Sequence, residues 1–273
     1  MKISFRTLSQ RLITYPALLP IMLLYNVVTN KKPILDTFYL VRGVPHGYLK
    51  GKLRIASYDN LKIVFPFDED PSFDDVWLRD VYYPYVPQNN HVVVDIGAHM
   101  SFFSLKVARK VKNVVAVEPD PTNFKFLTFN IHLNKLQDKV VLYNLALGER
   151  DGQIYLDRSG YGFGRSKTTT EKTDCSVEMR TVDSFMEEIG LERVDLIKID
   201  TEGSELEILK GARKTLLKYR PDLLIAAYHF NKEHLILTRY LKKYGYRVFC
   251  YRAPFFLSSD GEVYLYAKGK PQQ

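Results

Sequence analysis

Asp95-Ile96-Gly97-Ala98-His99-Met100-Ser101 follows the valine run Val92 to Val94 and leads into the apolar stretch Phe102-Phe103-Ser104-Leu105. That order predicts a strand delivering Asp95, a tight turn at Gly97-Ala98 and a helix starting near Ser101. Small residues at such a turn let a ligand approach the main chain at the carboxyl end of a strand, where open α/β sheets bind ligands. Twenty-one residues beyond Gly97, Glu118 closes the next β-rich run, Val114 to Val117, and is followed by Pro119-Asp120. A carboxylate there can accept hydrogen bonds from both hydroxyls of a ribose. The two elements together describe a nucleoside site.

Nicotinamide cofactors and S-adenosyl-L-methionine (SAM) both carry a nucleoside, so finer detail decides between them. A dinucleotide site uses Gly-x-Gly-x-x-Gly to bring a helix N-terminus to a pyrophosphate. Here Gly97 is followed by Ala98, His99, Met100 and Ser101, with no second glycine. Asp95, two residues before Gly97, would repel a pyrophosphate but suits the cationic amino-acid and sulfonium end of SAM. The motif favours a methyltransferase over a dehydrogenase, against the plain alternative of a strand-turn-helix with no ligand.

Methyl transfer from a sulfonium is an in-line displacement in which the protein holds the acceptor oxygen and assists loss of its proton. Candidates at carboxyl strand ends are Asp200, which follows the run Val194 to Ile199, then Glu202 and His229. Asp200 is the favoured residue for orienting the acceptor. Glu202 is as well suited to capping the following helix. His229 has the pKa class for proton abstraction near neutrality, with a structural hydrogen-bonding role as the alternative. Lys198, inside an apolar strand, is expected to pair with a carboxylate. Asn144 ends the third strand, where a side chain can bracket adenine, with Ala146 supplying backbone contacts. The glycine-rich stretch Gly160 to Arg165 is a candidate to close over the acceptor. Cys175 and Cys250 give no metal-ligand spacing, and no metal is expected.

These residues need a scaffold, and the chain alternates short β-rich runs at Val92, Val114, Val140, Val194 and Leu223 with amphipathic stretches. Strands alternating with helices imply a largely parallel sheet covered on both faces. Asp120 as N-cap and Pro121 at the first helical position signal a helix running to about Lys135. Arg247–Arg252 and Glu262–Lys268 read as a closing antiparallel pair. Residues 152–180 read as a loop with strand-like ends. Before the main domain, Lys52–Ser57 and Leu61–Phe67 read as a hairpin and Phe73–Tyr83 as a short helix.

The 273 residues include 46% hydrophobic and 26% charged residues, which excludes a disordered, collagen-like or coiled-coil chain. The net charge of +8 is local: residues 1–62 hold ten Lys/Arg against two acids, and the remainder balances at 29 against 29. Leu12–Val28 is uncharged and follows Lys2, Arg6 and Arg11, in the order of a signal anchor. Its 17 residues and its prolines Pro16 and Pro20 favour a helix packed on the domain or lying at a membrane surface over a span. A basic extension, residues 1–70, and a catalytic domain, residues 71–273, are therefore expected, with peripheral membrane contact through residues 1–35 and a cytoplasmic setting.

Four blocks, Asp95-Ile96-Gly97-Ala98, Val117 to Phe124 with Asn130, Asn144 to Gly148, and Lys198 to Glu205 with Leu209-Lys210-Gly211-Ala212, resemble in order and spacing those of FkbM-type SAM-dependent methyltransferases. The likeness spans roughly Val92 to Lys268. It implies a class I methyltransferase fold, a doubly wound, mostly parallel seven-stranded sheet with a reversed final hairpin, and SAM as donor to a hydroxyl. It also implies that Gly97, Ala98, His99, Ser101, Pro119 and Asn123 line the cofactor beside Asp95, Glu118, Asn144 and Ala146. Two departures stand out. His99 and Ser101 replace the Asn and Gly usual in the first block, and Ala226-Ala227-Tyr228-His229 lacks the Glu that commonly precedes the His. The acceptor is expected to be a small molecule or glycan and not a nucleic acid. An RNA methyltransferase or a catalytically silent nucleoside-binding protein are the alternatives.

Overall fold

The computed structural model describes residues 46–48, 53–58, 60–66, 70–77, 79–159, 166–252 and 262–269, and the chain divides into two compact units, residues 1–67 and 68–273. The expected amino-terminal helix, the membrane contact and the stretch 160–165 lie outside the described residues. In the first unit, β1 (His46–Tyr48), β2 (Leu53–Tyr58) and β3 (Leu61–Pro66) form an antiparallel sheet in that order. The β2–β3 hairpin is the one expected, and Asn60 supplies the positive φ of its turn (60°).

The second unit begins with α1 (Asp70–Trp77), three residues earlier than the sequence reading and ending well before Tyr83. Its seven-stranded sheet is built from β4 (Val92–Ile96), β5 (Asn113–Val117), β6 (Val140–Tyr143), β11 (Leu196–Ile199), β12 (Asp222–Ala226), β13 (Arg247–Arg252) and β14 (Val263–Lys268). The spatial order is β13-β14-β12-β11-β4-β5-β6, with β14 alone antiparallel to its neighbours. This is the doubly wound α/β sheet that the sequence implied, and its final strand inserts between β12 and β13. Strands β4, β11 and β12 are almost entirely buried valine, isoleucine and leucine, as parallel strands covered on both faces must be. Chain order reverses at β4, so the carboxyl ends of β4 and β11 flank the switch point where open α/β sheets take ligands.

Helices α2 (Phe102–Ala108), α3 (Pro121–Leu133), α4 (Val182–Glu188), α5 (Glu205–Lys210), α6 (Arg213–Lys218) and α7 (Glu233–Lys243) connect the strands. Asp120 caps α3 as expected, its Oδ1 accepting from the main-chain N–H of Thr122 (2.7 Å) and Asn123 (3.2 Å). Residues 152–180 are not a simple loop. β7 (Ala146–Gly148), β8 (Gly152–Asp157), β9 (Lys167–Thr169) and β10 (Ser176–Thr181) form a second sheet ordered β7-β10-β8-β9, with Ala146, Ile154, Leu156, Val177 and Met179 as its core. No described helix is long and apolar enough to cross a membrane.

One side chain ties two of these helices. Asp183 on α4 accepts from the N–H of Lys214 (2.9 Å) and from both the N–H and the hydroxyl of Thr215 (2.7 Å each), satisfying the first turn of α6. Asp183→Ala should lower stability by about 1–2 kcal/mol in urea denaturation; an unchanged midpoint would show that the cap is dispensable.

Candidate active site

The turn after β4 is held from both sides. The N–H groups of Gly97 and Ala98 both donate to the carbonyl of Val117 at the end of β5 (3.0 Å each). From the β11 side, Lys198 Nζ donates to the Gly97 carbonyl (2.7 Å) and pairs with Asp95 Oδ1 (3.1 Å). Lys198 and Asp95 are direct neighbours in the β11–β4 register, so the pairing follows from strand alignment. Burial works against the Lys198 charge, but Asp95 and Asp200 outweigh it and raise its pKa above the ordinary value. The turn also runs close to the main chain after β11: a Cβ on Gly97 would sit 1.9 Å from the Asp200 carbonyl oxygen, and its φ is +73°. Only glycine meets both conditions.

Asp95 was expected to grip the amino-acid tail of SAM directly. The structure puts it beneath the turn, fully buried, with Oδ2 accepting from the Ser104 hydroxyl (2.7 Å) and Oδ1 facing Lys198. Its carboxylate is therefore engaged inside the protein, and it reaches the turn through Lys198. Ser101 does not cap α2 with its side chain; it takes φ 83°, and its buried hydroxyl has no hydrogen-bond partner among the described residues. An orphaned hydroxyl at this turn suits a polar ligand group.

Glu118 lies beside the same turn. Its Oε2 accepts from the His99 N–H (2.8 Å), and Oε1 accepts from the Asp120 N–H (2.9 Å) and the Asn123 amide (3.4 Å). Burial raises its pKa to about 7 despite these three donors. Pro119 and Asn144 belong to the same corner: the Asn144 amide donates to the carbonyls of Glu118 (2.8 Å) and Pro119 (3.0 Å). Asn144 thus shapes the corner from its main chain, with its amide already engaged. Ala146 is buried in the core of the second sheet. On α3, Asn130 donates to the Met100 carbonyl (3.0 Å), fixing the far side of the turn. Gly97, Ala98, His99, Glu118, Pro119, Asn123 and Asn144 thus meet at one corner at the carboxyl ends of β4 and β5.

At the end of β11, Asp200 Oδ2 accepts from the Tyr82 hydroxyl (2.7 Å), and Oδ1 lies 3.5 Å from His229 Nε2. Burial would raise the Asp200 pKa, but Lys198, His229 and Tyr82 together hold it well below the carboxylate range. His229 Nδ1 lies 3.2 Å from Glu205 and 3.6 Å from Glu233. Burial disfavours the imidazolium, yet the three carboxylates outweigh it and push the pKa up to about 12. A raised pKa favours the imidazolium, and with it the structural hydrogen-bonding role read from the sequence as the alternative to proton abstraction. Glu202 occupies the tight turn after Asp200 with φ 59°, while Glu205 folds back to accept from the N–H of Thr201 (2.8 Å).

Tyr82, Glu205 and Glu233 were not singled out as site residues from the sequence. Tyr82 is 118 positions from Asp200, with no local signal of the contact. Glu233 follows His229 at the i,i+4 spacing, which is a usable signal when the helix start is known.

A family model described as "Methyltransferase FkbM domain" matches residues 95–248. The chain belongs to this family, and SAM is the cofactor its nucleoside corner is built for. Among curated relatives it is similar to the 2-O-methyltransferase NoeI of Sinorhizobium fredii, at 44% identity over 47% of this chain and 60% of that one. It is also similar to a tRNA(Phe) (4-demethylwyosine(37)-C(7)) aminocarboxypropyltransferase of Pyrococcus horikoshii, at 39% identity over 29% of this chain and 28% of that one. The chain thus spans less than two thirds of the curated relatives it matches. The crystal structure of the methyltransferase FkbM from Methylobacillus flagellatus shares the fold, with a TM-score of 0.53 and 21% identity over 71% of this chain and 47% of that chain.

Replacing Lys198 with Met leaves a buried carboxylate without its counter-charge, which should destabilise the fold by about 3–5 kcal/mol. The double variant Lys198→Met, Asp95→Asn should recover a large part of that loss in chemical denaturation. Equal instability of the single and double variants would show that the two side chains are not coupled.

Proposed function

We propose that the chain is a SAM-dependent O-methyltransferase acting on a hydroxyl of a small-molecule or glycan acceptor. The observation that carries this reading is the contact between the two halves of the site: the Gly97 turn packs directly on the main chain of Asp200. A donor lying along that turn and an acceptor held by Asp200 would be neighbours. The printed activity of the NoeI relative, 2-O-methylation, supports a hydroxyl acceptor.

When bound, SAM supplies an already activated methyl group, so the chain's own task is orientation. Asp200, kept ionised by Lys198, His229 and Tyr82, accepts a hydrogen bond from the acceptor hydroxyl and aims its oxygen along the transfer line. Because its pKa is depressed, Asp200 is a weak proton acceptor and acts chiefly by position. Tyr82, Tyr228 and Tyr264 stand edge-to-face around this acid, with centroids 5.8 Å and 5.4 Å apart along the row. Tyr82 and Tyr264 are buried, so the row backs Asp200 and fixes its position rather than offering an open face to the acceptor. Lys198 and Asp95 hold the Gly97 turn rigid beneath the donor, and Glu202 stands in the separate turn after Asp200, on the acceptor side.

Glu118 makes the cofactor half testable through pH. In the free protein its pKa is about 7, with Asp120 the neighbouring acid and the His99 and Asp120 amides as donors. Ribose hydroxyls donate best to the ionised form, so binding is favoured above pH 7 and must displace a proton below it. SAM affinity in calorimetry should fall about tenfold from pH 8 to pH 6, following the linkage of about 1.4 kcal/mol per pKa unit. Glu118→Gln should bind about tenfold more weakly at pH 8 and lose the pH dependence. Unchanged affinity in that variant would reject the ribose assignment. Labelled methyl transfer into hydroxyl-bearing acceptor pools, including glycans, tests turnover; transfer into RNA alone would favour the RNA-modifying alternative.

A further inference from the structure

We propose that Asp200, Glu205 and His229 form a binding site for one divalent transition-metal cation. One ligand atom from each lies within 4.8 Å of the others, the span that a single ion can bridge. The site's existence does not depend on the methyl-transfer reading; the role given to the ion below does.

Three features of this cluster point to a ligand beyond a set of acids in contact. First, both nitrogens of the His229 ring, whose side chain is 4% exposed, face carboxylates at 3.2–3.6 Å without making an aligned hydrogen bond. Glu205 Oε2 and Glu233 Oε1, on two fully buried side chains, likewise find no N–H or hydroxyl donor among the described residues. Second, buried charge does not balance. Two basic groups, Lys198 and the His229 imidazole, face four carboxylates, those of Asp95, Asp200, Glu205 and Glu233. Like charges gathered out of water are stable only with a counter-ion or a proton. Third, the carboxylates are positioned by outer donors, as metal ligands are. Glu205 Oε1 accepts from the Thr201 N–H (2.8 Å), the Thr201 hydroxyl (3.1 Å) and the Gly203 N–H (3.4 Å). Glu233 Oε2 accepts from the His229 N–H (2.8 Å), and Asp200 Oδ2 from Tyr82. Asp200 is fixed by Oδ2 and presents Oδ1 to the ring, whereas Glu205 Oε1 and Glu233 Oε2 face the ring with the same oxygens that their donors hold.

The donor set selects the ion. One imidazole with two carboxylates suits Mn²⁺ or Zn²⁺ better than Mg²⁺, which prefers an all-oxygen shell. One ring nitrogen ligates while the other turns to a facing carboxylate, the arrangement that sets the tautomer of a metal-bound histidine. An ion here would draw the acceptor oxygen to Asp200 and ease loss of the hydroxyl proton, a task for which neither Asp200 nor His229 is suited alone.

The test uses the full chain stripped with a chelator and titrated with Mn²⁺, followed by electron paramagnetic resonance. Saturation at one Mn²⁺ per chain, with a spin-echo coupling to an imidazole nitrogen, is the expected result. Glu205→Gln and, separately, His229→Asn should each weaken Mn²⁺ binding at least tenfold, and His229→Asn should abolish the nitrogen coupling. No saturable Mn²⁺ binding by the wild-type chain, or binding without the nitrogen coupling, overturns the site whatever the variants do. SAM calorimetry on the stripped chain separates the two ideas. SAM binding without any Mn²⁺ binding rejects the ion and keeps the proposed function; Mn²⁺ binding without SAM binding supports the ion site and rejects the proposed function.

Discussion

A single buried ion pair organises this molecule's chemistry. Lys198 and Asp95 face each other across the two central strands, and the lysine reaches one bond further to the carbonyl of Gly97. A charge pair in the interior stabilises a fold weakly and holds a register strongly when each partner has further hydrogen bonds. Here those bonds run to Ser104 at the start of α2 and to the turn itself. The strand register, the turn and the helix that follows are therefore set by the same few atoms.

The turn in turn sets the two halves of the site. On one side it takes its direction from Val117 and places the His99 N–H on Glu118. On the other it lies against Asp200, whose ionised state depends on the same Lys198. The Glu118 corner and the Asp200 corner are thus linked through Lys198 and the turn it holds. The second sheet joins the same edge from above: Arg158 and Ser166, flanking its β8–β9 hairpin, both bond Asp120 (2.9 Å and 2.7 Å), and Thr168 meets Ser204 (2.7 Å).

Much of this was legible in the chain. Valine- and isoleucine-rich runs bounded by turn residues mark parallel strands directly, because burial on both faces requires unbroken apolar side chains. Asp120-Pro121 announced a helix start through local capping alone. The small sheet was not legible in full, since β7 and β9 are three residues each, too short for a two-residue period to show. Site residues divide along the same physical line. The positions of Gly97 in a tight turn and of Glu118 beside it follow from local spacing. Residue type, however, says nothing of exposure, so Asp95 reads as a ligand-facing acid when it is sealed under the turn. The pKa of His229 is raised by Glu205 and Asp200, which lie 24 and 29 positions away and meet it only after folding, so its sequence neighbourhood could not choose between a base and a structural hydrogen-bonder.

The most direct measurement is a crystal structure of the chain with S-adenosylhomocysteine, the demethylated form of the donor. The account requires the ribose hydroxyls on Glu118, the amino-acid end along Gly97 to Ser101, and the Lys198–Asp95 pair intact beneath it. A nucleoside bound away from Glu118, or one whose amino group breaks into the ion pair to reach Asp95, would contradict it.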